Sequence, residues 1–279
     1  MKFFIKLIIL YFINILIIFA GNNCEYNISV GSFNIESNQS DIKVITKQIL
    51  ENPNIKIWGI VESNNKSLNE ILKSLRKISD FKAIAGTTGG TNGKMQIFYD
   101  SSRFEPIYQT ELHYVNYKNR VRSPLVVKFL DLKSRAEFYL MVNHLYRSNN
   151  FYRHKQAELL NLWGKDVGVK ENLPIIALGD YNFDMYYRDI NKRDKGFDNL
   201  VQDAVFHWIR PNILYPTQCS KHKSILDFFF ISANNPANFQ LNSEVLYRYD
   251  QYCSYRGYYS DHRPIVANVN YLYSCKKEK

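Results

Sequence analysis

The chain has 279 residues, of which 46% are hydrophobic and 22% charged. That composition excludes a chain too polar to fold and allows one large α/β domain with a sizeable core. Lys and Arg number 36 against 26 Asp and Glu, a net charge of +10, which suits a polyanionic partner.

In chain order, Lys2 and Lys6 come first, and the apolar run "LIILYFINILIIFAG" follows, ending in small residues at Ala20-Gly21. A basic start, an apolar stretch and a small-residue end resemble a secretory signal peptide over residues 1–20. An uncleaved membrane anchor is the alternative, since the run approaches spanning length. The signal reading makes residues 21–279 a secreted or periplasmic protein with no stable membrane association. Without Lys2 and Lys6 the balance falls from +10 to +8. In an oxidising compartment Cys24, Cys219, Cys253 and Cys275, which show no CxxC spacing, favour two disulfides over a metal site. Three pairings are then open. Tyr is abundant, 21 in all, and rings among basic residues suit nucleic acid, with Lys and Arg on phosphates and rings stacking on bases.

From residue 26 short apolar runs alternate with helical stretches. "NISVGSFNIES" reads as a strand. "DIKVITKQILEN" has helical spacing through Ile42, Ile45 and Ile49 and stops before Pro53. "IKIWGIVES" is a second strand. "SLNEILKSLRKI" is an amphipathic helix, with Ser67 as its expected N-cap and Glu70 three residues on. "TTGGTNG" is a loop. "KMQIFYD", "SPLVVKFLDL" and "EFYLMVNHL" are strands, "YRHKQAELLNLWGKDV" a helix, and "LPIIALGD" a strand expected to stop at Gly179. "SILDFFFIS" and "SDHRPIVANVNYLY" close the pattern. No Pro/Gly/Ser-rich linker divides it, so it reads as one domain, a layered α/β sheet protein. Trp58, Trp163 and Trp208 sit in apolar or helical contexts and read as core; His113, His154, His207 and His222 read as surface.

Ionisable and amide groups recur at the boundaries of these runs: Asn34 and Glu36, Glu62, Asn143 and His144, Asp180 and Asn182, Asp227, and Asp261 with His262. Such a group buried alone beside "FFFIS" or "IIAL" would cost several kcal/mol. They therefore need one another, or a metal. The set suits phosphoester hydrolysis, which needs an oriented water, a base for its proton and positive charge near the developing negative oxygen. A hard cation such as Mg²⁺ on Glu62 would supply that charge. If the chain stays extended past Gly179, Asp180 and Asn182 share one side and Tyr181 points into the packing beneath.

The ordered motifs "SFNIE", "IVE", "VNHL", "GDYN", "LDFFF" and "SDHRP" resemble those of the endonuclease/exonuclease/phosphatase superfamily over about residues 28 to 270. The resemblance implies a deoxyribonuclease I-like four-layer α-β-β-α sandwich, and a metal-dependent phosphodiesterase that uses Mg²⁺, or Mn²⁺ or Ca²⁺ in its place. It makes Glu62 the principal metal ligand with Asn34 beside it, and Asp261 a metal-site or supporting acid. It assigns His144 to the leaving group, Asp180 and Asn182 to the attacking water and the scissile phosphate, and Asp227 to orienting His262. The proton-accepting role falls to Asp180 or His262. "NRVRSPLVVKF" resembles the strand of the secreted deoxyribonuclease branch whose Arg contacts phosphate, which implies phosphate contact by Arg122; Asn143 is a second substrate-binding candidate. The acid that supports the middle His in deoxyribonuclease I has no match here, because "GKMQIFYD" and its loop offer only Gln96 or Asn92.

The implied activity is hydrolysis of DNA, or of RNA, by a monomer. A phosphoesterase of the same fold acting on phosphoinositides or sphingomyelin is the alternative. Glu36 reads as a surface or supporting group. "MYYRDINKRDK" stays open between a nucleic-acid loop and a solvated insertion, and "YRYDQYCSYRGYY" is expected to border the site, with Arg256 or a tyrosine on the substrate. On this topology Cys24 and Cys275 lie at the end far from the site, and Cys219 and Cys253 in site-side loops. The expected bridges are therefore Cys24–Cys275 and Cys219–Cys253.

Overall fold

The computed structural model describes residues 23–119, 121–219, 223–233, 238–253 and 257–274, with the side chains of 23–26 and 272–274 left outside the description. Two six-stranded sheets form the centre. The first runs in the order β11 (Phe239–Val245), β12 (Ile265–Ser274), β1 (Asn23–Asn34), β2 (Ile57–Ser63), β4 (Lys94–Asp100), β3 (Phe81–Ala85). The second runs β5 (Phe104–Glu111), β6 (Leu125–Asp131), β7 (Glu137–His144), β8 (Ile175–Tyr186), β10 (Ser224–Ser232), β9 (His207–Trp208). Only β1–β2 and β7–β8 pair parallel; every other neighbour is antiparallel. Each sheet thus carries one parallel pair at its middle, whose two C-terminal ends open at the same edge.

The layers follow from alternation along the strands. One set of side chains, including Val30, Ile57, Ile97, Val127, Leu140, Val142, Leu178 and Phe229, fills the space between the sheets. The opposite set on the first sheet, with Phe33, Trp58, Ile60 and Phe98, packs on Ile45 and Ile49 of α1 (Ile42–Leu50) and Ile71 and Leu75 of α2 (Asn65–Leu75). On the second sheet Met141, Ala177, Tyr181 and Phe228 meet Ala157 and Leu160 of α3 (Asn150–Glu171) and Phe197 of α4 (Lys195–Val201). The result is the expected four-layer α-β-β-α sandwich. No described helix is long and apolar enough to cross a membrane. The expected signal segment 1–20 lies outside the described residues.

Several local expectations need correction. The helix at 65–75 is capped by Asn64; Ser67 is its third residue, and the two exchange reciprocal side-chain-to-backbone bonds. β8 does not stop at Gly179 but continues to Tyr186, and Asp227 lies inside β10 rather than before it. Trp58 is fully buried as expected, whereas Trp163 and Trp208 pack only partly buried against the α3 side. The strands β3 and β5 and helix α4 carry no clear apolar period, whereas β11 alternates Phe239, Leu241 and Val245 with polar residues.

The regular ladder breaks at the edge where the parallel pairs open, and separately between Pro106 and Tyr108 of β5. The β2–β4 register shifts between Ile60 and Ser63, and residues 181–184 of β8 stand against Leu226 alone. Glu36, Glu62, Asn182 and Asp184 have positive φ, of 43°, 53°, 54° and 44°. Non-glycine residues are uncommon there, and bulges near sites re-aim side chains. Gly179 has φ 129°, and a Cβ on it would lie 2.0 Å from the Asn143 carbonyl oxygen. Only glycine lets β7 and β8 approach this closely. Gly179→Ala should therefore cost at least about 2 kcal/mol and lower the thermal midpoint by roughly 4–8 °C. Calorimetry showing an unchanged midpoint would contradict this account of the strand pair.

Candidate active site

The broken edge is where the sequence-predicted residues meet. Asn34 ends β1, Glu62 sits in the bulge of β2, His144 ends β7, and Asp180 lies in β8 opposite Asp227 of β10. His262 comes from the segment before β12, and its backbone bridges Gln218. The Asn34 side-chain nitrogen donates to Glu62 Oε1 at 3.2 Å and to Asp180 Oδ2 at 3.1 Å. His144 Nε2 stands 3.5 Å from each of those same two oxygens. His262 Nδ1 bonds Asp227 Oδ2 at 2.7 Å, so its Nε2 faces the centre, 3.8 Å from Asp180 Oδ2. Asp180 Oδ1 accepts the Asn182 backbone N–H at 3.0 Å.

Burial sets the charge states. Burial above all, then the nearby Asp227 and Glu62 carboxylates, push Asp180 up to about 7 against the opposing pull of His262. His144 is buried, and that, with the cations Arg122, His262 and Arg147, holds it well below 6.5 and neutral. Burial would also lower His262, but Asp227's charge and hydrogen bond, then Asp180 and Asp261, carry it well above 6.5. Burial pulls the Arg122 guanidinium down while Glu62 and Asp180 hold it up; it stays charged. Arg122 Nε is buried with no hydrogen-bond partner, leaving the group aimed at the acids without a fixed bond there.

Some expected residues sit otherwise. Asn143 is fully buried, its side-chain nitrogen on the Tyr181 hydroxyl at 2.9 Å, so it fastens β7 to β8 from beneath. Tyr181 points into the packing as expected. Asn182 is left-handed, with φ 54°, so extended alternation does not set its direction; its side chain bonds the Leu145 carbonyl at 3.1 Å. Asn34 Oδ1 accepts the Glu36 N–H, so Asn34 turns a donor toward the centre rather than a ligand oxygen. Asp261 lies beside His262 and Glu36, not beside Glu62: its N–H donates to Glu36 Oε2 at 3.2 Å. Burial, then Asp261, pushes Glu36 up to about 7, so this group belongs to the site's border rather than to open surface. Gln96 bonds Ser63 and Asn64, Asn92 bonds Asn64, and His144 Nδ1 has no partner. Neither candidate supports that histidine.

Two residues missed in the sequence hold the frame. Thr217 Oγ1 accepts the Leu226 and Asp227 N–H groups at 2.9 and 3.1 Å, and its carbonyl accepts the Arg263 N–H. Ser260 donates to the Asn34 carbonyl at 2.7 Å and accepts the His262 N–H at 3.0 Å. Ser260 was visible within "SDHRP"; Thr217 gave no signal. The Cys219–Cys253 disulfide is present, and the Cys219 N–H bonds the Asp261 carbonyl, so it stands at the site as expected. The Cys24–Cys275 bridge and the Arg256 contact lie outside the described residues and side chains.

The donor set fits a hard divalent cation. Glu62, His144 and Asp180 present ligand atoms within 4.8 Å of one another, and Glu62 keeps 32% of its side chain exposed, open to the cleft. Two carboxylate oxygens brought onto one amide nitrogen are a site where added positive charge relieves repulsion.

The chain has the deoxyribonuclease I-like fold of endonuclease/exonuclease/phosphatase proteins. No family model and no curated protein matches the sequence; the likeness is to solved structures. An endonuclease/exonuclease/phosphatase family protein from Bacteroides thetaiotaomicron superposes with TM-score 0.69 at 18% identity, covering 92% of this chain and 100% of its own. A mannosyl-6-phosphatase of the same organism gives 0.65 at 19%, covering 87% and 99%. TDP2 from D. rerio, complexed with single-strand DNA product, gives 0.65 at 16%, covering 87% and 98%.

In the metal-free protein, histidine NMR should show His262 titrating well above 6.5 and His144 well below it. Asp227→Asn should bring His262 down. A His262 titration unmoved by that change would show that Asp227 does not hold its proton.

Proposed function

We propose that this chain is a secreted, Mg²⁺-dependent phosphodiesterase that hydrolyses DNA, and RNA as a second substrate, by in-line attack of water on phosphate. The observation that carries the reading is the convergence of Glu62, His144, Asp180 and the Asp227–His262 pair on one cleft. Binding alone needs no such set of acid, base and metal groups. The apolar N-terminal run supports export, and the +8 balance of residues 21–279 supports a polyanionic substrate.

Glu62 and Asp180 would hold the cation, which when bound supplies positive charge for the phosphate's developing negative oxygen. Asp180 or His262, whose facing atoms lie 3.8 Å apart, takes the proton of the attacking water. Asp227 fixes the ring so that Nε2 faces the phosphate. Neutral His144 stands ready at Nε2 for the leaving oxygen, and Arg122 offers its guanidinium charge to a non-bridging oxygen. Asn182 orients Asp180 through its backbone N–H.

Wild-type protein should cleave plasmid and RNA in Mg²⁺ and lose that activity in EDTA. His262→Ala and Asp180→Ala should each fall at least about a hundredfold. Parallel assays on inositol phosphates, sphingomyelin and a mannose 6-phosphate ester test other substrates for the same centre. Turnover of one of these with no cleavage of nucleic acid would overturn the DNA reading, and near-wild-type rates in both variants would overturn the residue roles.

A further inference from the structure

An aromatic cluster flanks the centre on its His144 side. β7 ends at His144; Tyr146 lies two residues on, and Phe151 and Tyr152 open α3. The turn Tyr117–Asn119 lies against them. The Tyr117 ring is 5.3 Å from Tyr152 and 6.1 Å from Phe151, and Tyr152 is 5.4 Å from Tyr146 and 6.0 Å from Phe151. These rings meet tilted or edge to face; none is stacked flat on another. Phe151 is 64% exposed.

Cations are interleaved with the rings. Lys118 Nζ lies 5.8 Å from the Tyr117 centroid and 5.9 Å from Tyr152. Arg147, one residue past Tyr146, is exposed and near enough to His144 to act on its charge. Arg122 lies five residues after Tyr117 in the sequence. Phe151 is the exposed ring of the group, with Tyr117, Tyr146 and Tyr152 half-buried beside it, and an exposed aromatic edge next to the site suits a contact surface.

The geometry points to this patch as a stacking platform for the bases of a single-stranded nucleic acid whose backbone enters the cleft at Arg122 and His144. The inference rests on the phosphodiesterase reading and adds to it a preference for unpaired strands over duplex. Rings beside cations match single strands, in which each base has a free π-face and each nucleotide a phosphate. A duplex keeps its bases stacked inside and offers such rings nothing to hold. Arg147 and Lys118 track the phosphates, while Phe151, Tyr152 and Tyr117 take the bases.

The test is fluorescence anisotropy with an end-labelled 15-residue oligothymidylate in EDTA, against a blunt duplex of equal length. Wild type should bind the single strand in preference. Phe151→Ala should weaken that binding about tenfold or more, Phe151→Trp should preserve it, and Phe151→Leu, apolar but without a π-face, should not. Lys118→Ala should reduce the dependence of log affinity on log salt by about 0.7. Val169→Ala, 80% exposed at the far end of α3, should change nothing. Calorimetric midpoints verify that each variant is folded. Unchanged affinity in folded Phe151→Ala, equal affinity in the Leu and Trp variants, or preference for the duplex would each overturn the platform. Tight single-strand binding by a wild type that cleaves no nucleic acid would instead overturn the nuclease reading and leave the platform standing.

Discussion

The Asn34 side-chain nitrogen touches Glu62 and Asp180 at 3.2 and 3.1 Å, and those acids belong to different sheets. Everything else at the site is arranged around that joint. Two carboxylates brought this close repel, and each would be displaced toward solvent without a shared donor or a cation. Asn34 can serve as that donor because its oxygen is already occupied by the Glu36 N–H, which a left-handed turn at Glu36 places within reach. The Ser260 hydroxyl ties the Asn34 carbonyl to the His262 N–H. One amide therefore couples Glu62, Asp180 and, through Ser260, His262.

The two sheets supply this joint in the same way. Each puts a parallel strand pair at its middle, and each lets an antiparallel neighbour slip register at the open edge, at Ile60/Ser63 and at Ile225/Asp227. Regular ladders would bury these side chains in alternation and leave their charges unpaired. The bulges and the positive φ values at Glu62 and Asn182 turn the chain instead, so that Glu62 and Asp180 face the same cleft from opposite sheets. Backbone in sparsely populated regions persists where the surroundings over-determine it. Here Thr217, Gly179 and the Asn143–Tyr181 bond do so.

Much of this was legible in the sequence because apolar runs that end in Asp, Glu, Asn or His have few solvable placements. Glu62, His144, Asp180, Asp227 and His262 announced themselves that way. What remained hidden has physical reasons. β3 and β5 are outer strands with exposed faces and little apolar period. The expectation for Asp180 and Asn182 assumed extended chain, and Asn182 is left-handed instead. Which atom Asn34 would present depended on a backbone N–H two residues away. The Tyr117 and Phe151 rings meet across 34 residues of chain, a contact that no local pattern encodes.

The central claim is that Glu62 and Asp180 form a cation site at the inter-sheet joint. Calorimetric titration of Mg²⁺ into wild type and Glu62→Gln tests it most directly. The account predicts binding to wild type that weakens at least about tenfold in the variant, with the fold retained. Equal Mg²⁺ affinity in the two proteins, or none in wild type, would contradict it.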